Sequence, residues 1–498
     1  MGMTWRKCVR RFIGCVVGFS VVGSALAQAP EGFGEWVSGG YFVGRTEPGA
    51  EVWFEGERLA VDADGFYLVP LGREAAGEKR LEVVSAAGDA RVYEVDVEQR
   101  SFEVQRVDGL DPSRVVPPEE AWERIQRDAE LVARARSADV VADDWREPFV
   151  WPAHGPVTGV YGSQRILNGV PRQPHWGVDV AAPTGTPVRA PAGGVVTLAQ
   201  RDLYFTGGTV LLNHGAGVTS SFLHLSRLDV ADGERVERGD VIGAIGSTGR
   251  STGPHLDWRM NAGDERIDAG LWVPPMDVIC EPEGTGEEAV VVLHGLGRSE
   301  RSMNDLAGSL REAGFTTCNQ AYPSRSDSLP ELAGYAANAI DAMRHRGYAR
   351  VHLVTHSMGG ILARYWLQYG DLPGEGRLVM LSPPNHGSEV IDAFGDFGWF
   401  QRLMGPAALE LSTDQEALVN RLPPLDVTTG IITGNRSSDP WFNFLFEAPH
   451  DGKVSVDSAR LTEAEGFRVV RSGHTFIMND PEVRFLVAFF LTNGFFPQ

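Results

Sequence analysis

Five side chains between residues 175 and 257 are of types that can hold and use a metal. His175 and Asp179 stand four apart in "HWGVD", His224 lies in "SSFLHLS", and His255 and Asp257 stand two apart in "PHLDW". Imidazole and carboxylate together suit zinc, and a hydrolytic zinc keeps three protein ligands and one open position. Farther on, "VHLVTHSMGGILARYW" sets Ser357 between an apolar run and an amphipathic one, with Gly359 and Gly360 behind it. A serine at a sharp strand-to-helix turn becomes a nucleophile when a base and an acid follow it. Asp451 in "PHDGKVSV" offers the acid and His474 in "SGHTFIM" the base, in the order Ser, Asp, His. Asp439 and Asp457 are rivals for the acid.

These groups need two different scaffolds. Residues 150–280 are Gly-rich and strand-like, and a spacing of two places His255 and Asp257 on one face of a strand. From Ala289 onward, apolar runs ("AVVVL", "VHLV", "RLVML") alternate with amphipathic helical stretches, which predicts a mostly parallel sheet with crossover helices over 285–498. The acidic, Gly-rich "EPEGTGEE" between them reads as a linker joining separately folding units. Upstream, residues 30–110 alternate apolar and polar in short runs broken by Asp64-Gly65 and Gly88-Asp89, as in a small antiparallel sandwich. That module carries no cluster of chemical side chains and is expected to be a spacer or binding module. Within 111–149, "EEAWERIQRDAELVARARS" predicts a helix with Trp122, Ile125, Ala129 and Val132 as its apolar stripe, either docked on a neighbour or guarding the next cleft.

"HWGVDVAAPTGTPVRAPAGGVV", "SSFLHLSRL" and "GDVIGAIGSTGRSTGPHL" resemble the lysostaphin/LytM-type zinc endopeptidases of peptidoglycan. The resemblance implies an antiparallel, duplicated-hybrid-motif-like sheet with an open groove and one Zn²⁺. It makes His175 and Asp179 ligands and His224 and His255 catalytic histidines outside the ligand set. The third ligand falls on the last member of a His-x-His pattern, which here is Asp257, and "HLDWRMN" resembles a subset of the family with Asp there. Carboxylate oxygen binds zinc at nearly the distance of imidazole nitrogen, though a second carboxylate weakens the ion as a Lewis acid. His154 and His214 receive no role beyond structure.

The Ser357 segment resembles the elbow of lipase/esterase-type α/β-hydrolases, with Thr355 in place of the first glycine. That likeness places the oxyanion donors at the backbone N–H groups of Leu296, after "VVVLHG", and of Met358, and calls for no cofactor. His356 is expected to pack beside the elbow, and His386 to line a loop. Phe394, Phe397, Trp399, Phe400, Leu403 and Met404 form an apolar insertion that reads as an acyl-binding cap or as a cap packed on itself.

The 498 residues are too many for one core and carry a net charge of −21, which disfavours nucleic acid as a partner. Arg6, Lys7, Arg10 and Arg11 precede an apolar run that ends in "SALA", so residues 1–27 read as a cleaved secretory signal. Export to the periplasm or the exterior follows, with no membrane span after cleavage. Only Cys280 and Cys318 would remain, and in an oxidising compartment they are expected to pair. The sequence therefore predicts an exported zinc endopeptidase acting on peptidoglycan, joined to a serine hydrolase for an ester or lipid. The alternative is a non-catalytic peptidoglycan-binding or amidase-activating domain that carries an active esterase.

Overall fold

A computed structural model describes residues 30, 32–107, 117–167, 169–437 and 440–498. Residues 1–27, expected to be a secretory signal, and the rival acid Asp439 lie outside the described residues. The N-terminal region folds as two antiparallel sheets. Gly32–Glu35, Tyr41–Arg45 and Phe66–Pro70 form one, and Glu51–Phe54, Glu57–Leu59, Gly77–Val84 and Ala90–Val97 form the other. Phe42, Val52, Tyr67, Val69, Leu71, Leu81 and Val97 fill the space between them, as the alternating pattern requires. The next strand, Val104–Val107, leaves the sandwich and pairs in parallel with Gln164–Leu167 of the following region.

That region is an antiparallel sheet of eight strands with a three-stranded sheet packed on one face. Its centre is the run Gly207–Gly215, Val218–Leu225, His255–Ala262, Gly177–Ala181. Phe222 and Trp258 point into the core. Alternation then turns Leu223 and Asp257, which are paired across the strands, to the opposite face. The Trp122–Arg136 helix packs on this same face. Its contacts are Leu131, Val132 and Ala135 against Leu198, Leu203 and Leu211, whereas Trp122 and Ala129 of the expected stripe are exposed. Polar anchors set that rotation: Asp128 accepts a hydrogen bond from the Tyr204 N–H at 2.7 Å, and Arg124 donates to the Asp202 carbonyl at 2.7 Å.

The C-terminal unit is a six-stranded parallel sheet, in the order Thr316–Gln320, Ala289–Leu293, Val351–His356, Leu378–Leu381, Thr429–Gly434, Gly466–Val470. Val291 and Leu293 enter one core with the Leu329–His345 and Met358–Trp366 helices. Val290 and Val292 enter the other, with Asn304–Glu312 and Pro481–Asn493. Burial on both faces explains why the central strands Ala289–Leu293 and Leu378–Leu381 are apolar throughout. Ser328 and Glu331 close a capping box at the start of the Leu329–His345 helix.

The two large units meet in a buried interface rather than across a free linker. Val150 belongs to the core of the C-terminal unit. Asn338, buried in the Leu329–His345 helix, accepts from the Trp151 N–H and donates to the Phe149 carbonyl, both at 3.0 Å. The Arg238 guanidinium, on a side chain 7% exposed, stacks over Trp366, 5.4 Å from its centroid. The expectation of separately folding units is therefore modified: of "FVW" (149–151), Phe149 and Trp151 pack in the core of the first unit while Val150 packs in that of the second. Cys280 and Cys318 are disulfide-bonded, with Cα atoms 5.4 Å apart, and tie the linker to the sheet.

Candidate functional sites

The first site grows from one strand pair. Gly177–Ala181 and His255–Ala262 run antiparallel with Asp179 opposite Asp257 and Gly177 opposite Arg259. Gly177 cannot be larger, because a Cβ there would stand 2.2 Å from Asp257 Oδ1. His175 is fixed just before the strand: its N–H donates to the Ser163 carbonyl at 2.7 Å and its own carbonyl accepts from Gly162 at 2.8 Å. One ligand atom each from His175, Asp179 and Asp257 lie within 4.8 Å of one another. His175 Nε2 and Asp179 Oδ1 are 3.1 Å apart, buried, and without hydrogen-bond partners.

Arg259, quoted in the sequence without a role, clasps the third carboxylate. Its Nε donates to Asp257 Oδ1 at 2.9 Å and Oδ2 at 3.1 Å, and its Nη2 to Oδ2 at 2.5 Å. Burial acts to raise the Asp257 carboxyl, but Arg259, His175 and His224 outweigh it and hold it below the usual carboxylate range. Oδ1 accepts a single bond, so a lone pair remains for a metal. The donor set fits zinc: one imidazole, two carboxylates, and two orphaned atoms turned to a common point. Arg259 also offsets the second carboxylate, whose charge would otherwise weaken the ion as a Lewis acid.

The two expected catalytic histidines sit beside this point, with ring centroids 4.9 Å apart. His224 Nδ1 lies 2.8 Å from the Thr248 carbonyl, and His255 Nδ1 lies 2.8 Å from that of Gly253. A carbonyl only accepts, so each ring carries its proton on Nδ1 and leaves Nε2 free to take one. His255 Nε2 is 3.9 Å from Asp179 Oδ1. Burial pushes His224 below its ordinary value, and its backbone is left-handed at φ 66°. A non-glycine residue there is costly and is retained where a site needs its side chain aimed. His214, by contrast, is buried away from this site between the Gly193 carbonyl (2.6 Å) and Ser220 Oγ (2.8 Å), in a structural role.

The second site is assembled by the parallel sheet. Ser357 ends the Val351–His356 strand at φ 54°, ψ −125° and begins the Met358–Trp366 helix. Gly295 and Gly359 permit this close turn: a Cβ on Gly295 would meet His356 Nδ1 at 2.8 Å, and one on Gly359 the His294 carbonyl at 2.7 Å. His474 Nε2 accepts from the Ser357 hydroxyl at 3.0 Å, and His474 Nδ1 donates to Asp451 Oδ2 at 2.8 Å. Asp451 is fully buried, and its Oδ1 accepts from the Lys453 and Val454 N–H groups at 3.0 and 2.9 Å. Burial acts to raise this carboxyl too, but His474 and these donors hold it below the usual range. Asp457 is exposed on the Val456–Ala459 helix.

His356 packs behind the elbow, its Nε2 3.0 Å from the His474 carbonyl, while His386 lies exposed on its loop. Met358 opens its helix, so its N–H has no partner within it, and Leu296 lines the same cavity as Ser357. That cavity, of about 490 Å³, is walled by Phe394, Trp399, Phe400, Leu403 and Met404 of the insertion. Phe397, Trp399 and Leu403 are more than half exposed.

The comparisons with known proteins fall on the first site. Residues 173–269 match Peptidase family M23. The M23 region is 46% identical over 94 residues to the DD-carboxypeptidase/endopeptidase Mpg of Neisseria meningitidis serogroup B, covering 19% of this chain and 21% of that protein. It is 44% identical over 87 residues to the peptidoglycan DD-endopeptidase ShyA of Vibrio cholerae, covering 18% and 20%. The chain thus matches about a fifth of the length of these curated relatives. A crystal structure of the Bacillus licheniformis lipase BlEst2 in mature form aligns with TM-score 0.32 and 18% identity, over 41% of this chain and 91% of that one. The reading of the second site rests on the geometry of Ser357, His474 and Asp451, beyond the M23 match.

Proposed function

We propose that this chain is an exported, bifunctional envelope hydrolase: an endopeptidase acting on peptidoglycan peptide cross-bridges, and a serine hydrolase acting on an ester or lipid. The observation that carries the first half is the pair of buried, unpartnered atoms His175 Nε2 and Asp179 Oδ1, set beside Asp257 in the M23 region. His175, Asp179 and Asp257 would hold a zinc ion, which would supply Lewis acidity toward the scissile carbonyl. His224 and His255 then act through Nε2, one taking a proton from the attacking water as base and the other, once protonated there, donating to the developing oxyanion. The name of the Vibrio cholerae relative, a peptidoglycan DD-endopeptidase, supports peptidoglycan as the substrate. Among the described residues no helix is long and apolar enough to cross a membrane.

In the second half Ser357 Oγ attacks the acyl carbonyl as His474 Nε2 takes its proton. Asp451 holds the ring in that tautomer, and the N–H groups of Leu296 and Met358 receive the oxyanion. His474 passes that proton to the departing alcohol, and water activated by the same histidine then releases the acyl group from Ser357. The apolar cavity over Ser357 favours longer acyl chains.

A nitrophenyl-ester series and a peptidoglycan digest, run in parallel, test both halves. Ser357→Ala should abolish ester hydrolysis and spare peptidoglycan cleavage, and chelation should do the reverse. Ester cleavage that survives Ser357→Ala would refute the assignment of the nucleophile. One observation favours a second reading of the M23 region: Arg259 already neutralises Asp257. A metal-free, peptidoglycan-binding module would bind sacculi with no zinc present and cut nothing.

A further inference from the structure

His154, assigned only a structural role from the sequence, stands at the interface of the two large units. Across it, Asp341 and His345 occupy the last turns of the Leu329–His345 helix. Four residues apart on a helix, these two share one face. A nitrogen from each imidazole and an Asp341 oxygen lie within 4.8 Å of one another. His154 Nε2 is 3.9 Å and His345 Nδ1 is 2.8 Å from Asp341 Oδ2, and the two rings meet edge to face at 4.6 Å.

The polar groups of this cluster are short of partners. His345 Nδ1 spends its proton on the Asp341 main-chain carbonyl at 3.0 Å. His154 Nε2, His345 Nε2 and Asp341 Oδ1 are buried without a hydrogen-bond partner, while Asp341 Oδ2 faces His345 Nδ1 at 2.8 Å. Asp341 is 4% exposed. The nearest fixed cation, Arg344 Nη1, is 3.9 Å from Oδ1, while Arg344 Nη2 turns to Asp371 at 3.6 Å. A buried carboxylate whose near donor, His345 Nδ1, is shared with a main-chain carbonyl is costly and calls for a positive charge.

We propose that His154, Asp341 and His345 bind a divalent cation of the zinc class and that this ion clasps the two hydrolytic units together. Two imidazoles and one carboxylate are a zinc-type donor set. Ligand atoms about 2.0–2.2 Å from one ion stand about 3.4 Å apart, so 4.8 Å closes by side-chain rotation alone. The cluster opens on a cavity of about 910 Å³ lined by His154, His345, Met276 and Glu281, which gives an ion a way in. Because His154 comes from one side of the interface and Asp341 and His345 from the other, binding couples to the docked arrangement of the two units.

Elemental analysis of the full chain, loaded with zinc and then desalted, tests this. His154→Ala and His345→Ala should each hold one equivalent fewer than wild type, and the equivalent they lose should persist in His175→Ala. Equal zinc in wild type and His154→Ala overturns the proposal and leaves a metal-free His–Asp–His ion cluster. Melting gives a second readout that bears on folding. In the His175→Ala background, zinc should raise the Tm, and adding His154→Ala should remove that rise. No rise in His175→Ala would equally refute the site.

Discussion

Asp179 and Asp257 stand directly opposite one another on neighbouring antiparallel strands. Like charges so placed repel, and the site answers with His175 on one carboxylate and Arg259 on the other. Arg259 and a metal therefore compete for Asp257. Arg259→Met should tighten zinc binding about tenfold, a fraction of the few kcal/mol that a unit charge exerts at this range. The metal-free protein should melt several degrees lower, because two buried anions then face each other. Zinc titration with a competing chelator checks the first outcome, and an unchanged or weaker affinity would show that Arg259 holds Asp257 in place for the metal.

His255→Ala and His224→Asn should stop peptide cleavage yet retain the zinc lost in His175→Ala. Asparagine suits position 224 because it tolerates the left-handed backbone there. Zinc content by elemental analysis decides the matter, since loss of metal in either variant makes that histidine a ligand.

Asp451→Asn should lower ester kcat by about 10⁴, as a neutral amide no longer selects the productive tautomer of His474. Its zinc content should equal that of wild type. Burst kinetics with a nitrophenyl ester measure the first, and an effect below tenfold would move the acid elsewhere.

His214 makes stability depend on pH. Burial holds its pKa at about 4, below the 6.5 of a free imidazole. The unfolded chain thus binds more protons between those values, and stability present above about pH 6.5 is lost as pH falls toward 4. The contribution amounts to about 3 kcal/mol. Burial pushes Glu147 the other way, up to about 7, so the useful quantity is a difference. Denaturation of wild type and His214→Gln should show a gap that narrows by that amount from pH 7 to pH 4, and a constant gap would rule this account out.

Cys280→Ser with Cys318→Ser should lower stability by about 4 kcal/mol for a loop of 38 residues. Intact-mass analysis of alkylated protein checks the pairing itself, with no label expected before reduction.

Alternation and apolar runs made the sheets legible in the sequence, because burial imposes period two on a strand covered on one face and continuous apolarity on a strand covered on both. The order of Ser357, Asp451 and His474 was legible for a related reason, since the parallel sheet delivers each to the same edge. The Trp122–Arg136 helix was less so: its apolar residues are too few to fix its rotation, and Asp128 and Arg124 settle it through partners some 75 residues away. Arg259 could be seen but not interpreted, because its pairing with Asp257 depends on side-chain direction rather than spacing. Asp341 and His345 carried a visible signal, an Asp-x-x-x-His spacing on a predicted helix. Their partner His154 lies 187 residues from Asp341 in the chain, and no local pattern joins them.

Val150 is seated in the core of one large unit and its neighbours Phe149 and Trp151 in the core of the other, and this sets a distance. Two clefts carried by one rigid body cannot search independently along a polymer or a membrane; each is held at one stride from the other. A substrate engaged at one cleft offers the second only what lies at that stride, so reach is fixed by the interface and not by the loop that joins the units. Lengthening residues 281–288 should leave the spacing as it is, while a charge placed at Val150 should turn a caliper into a flail.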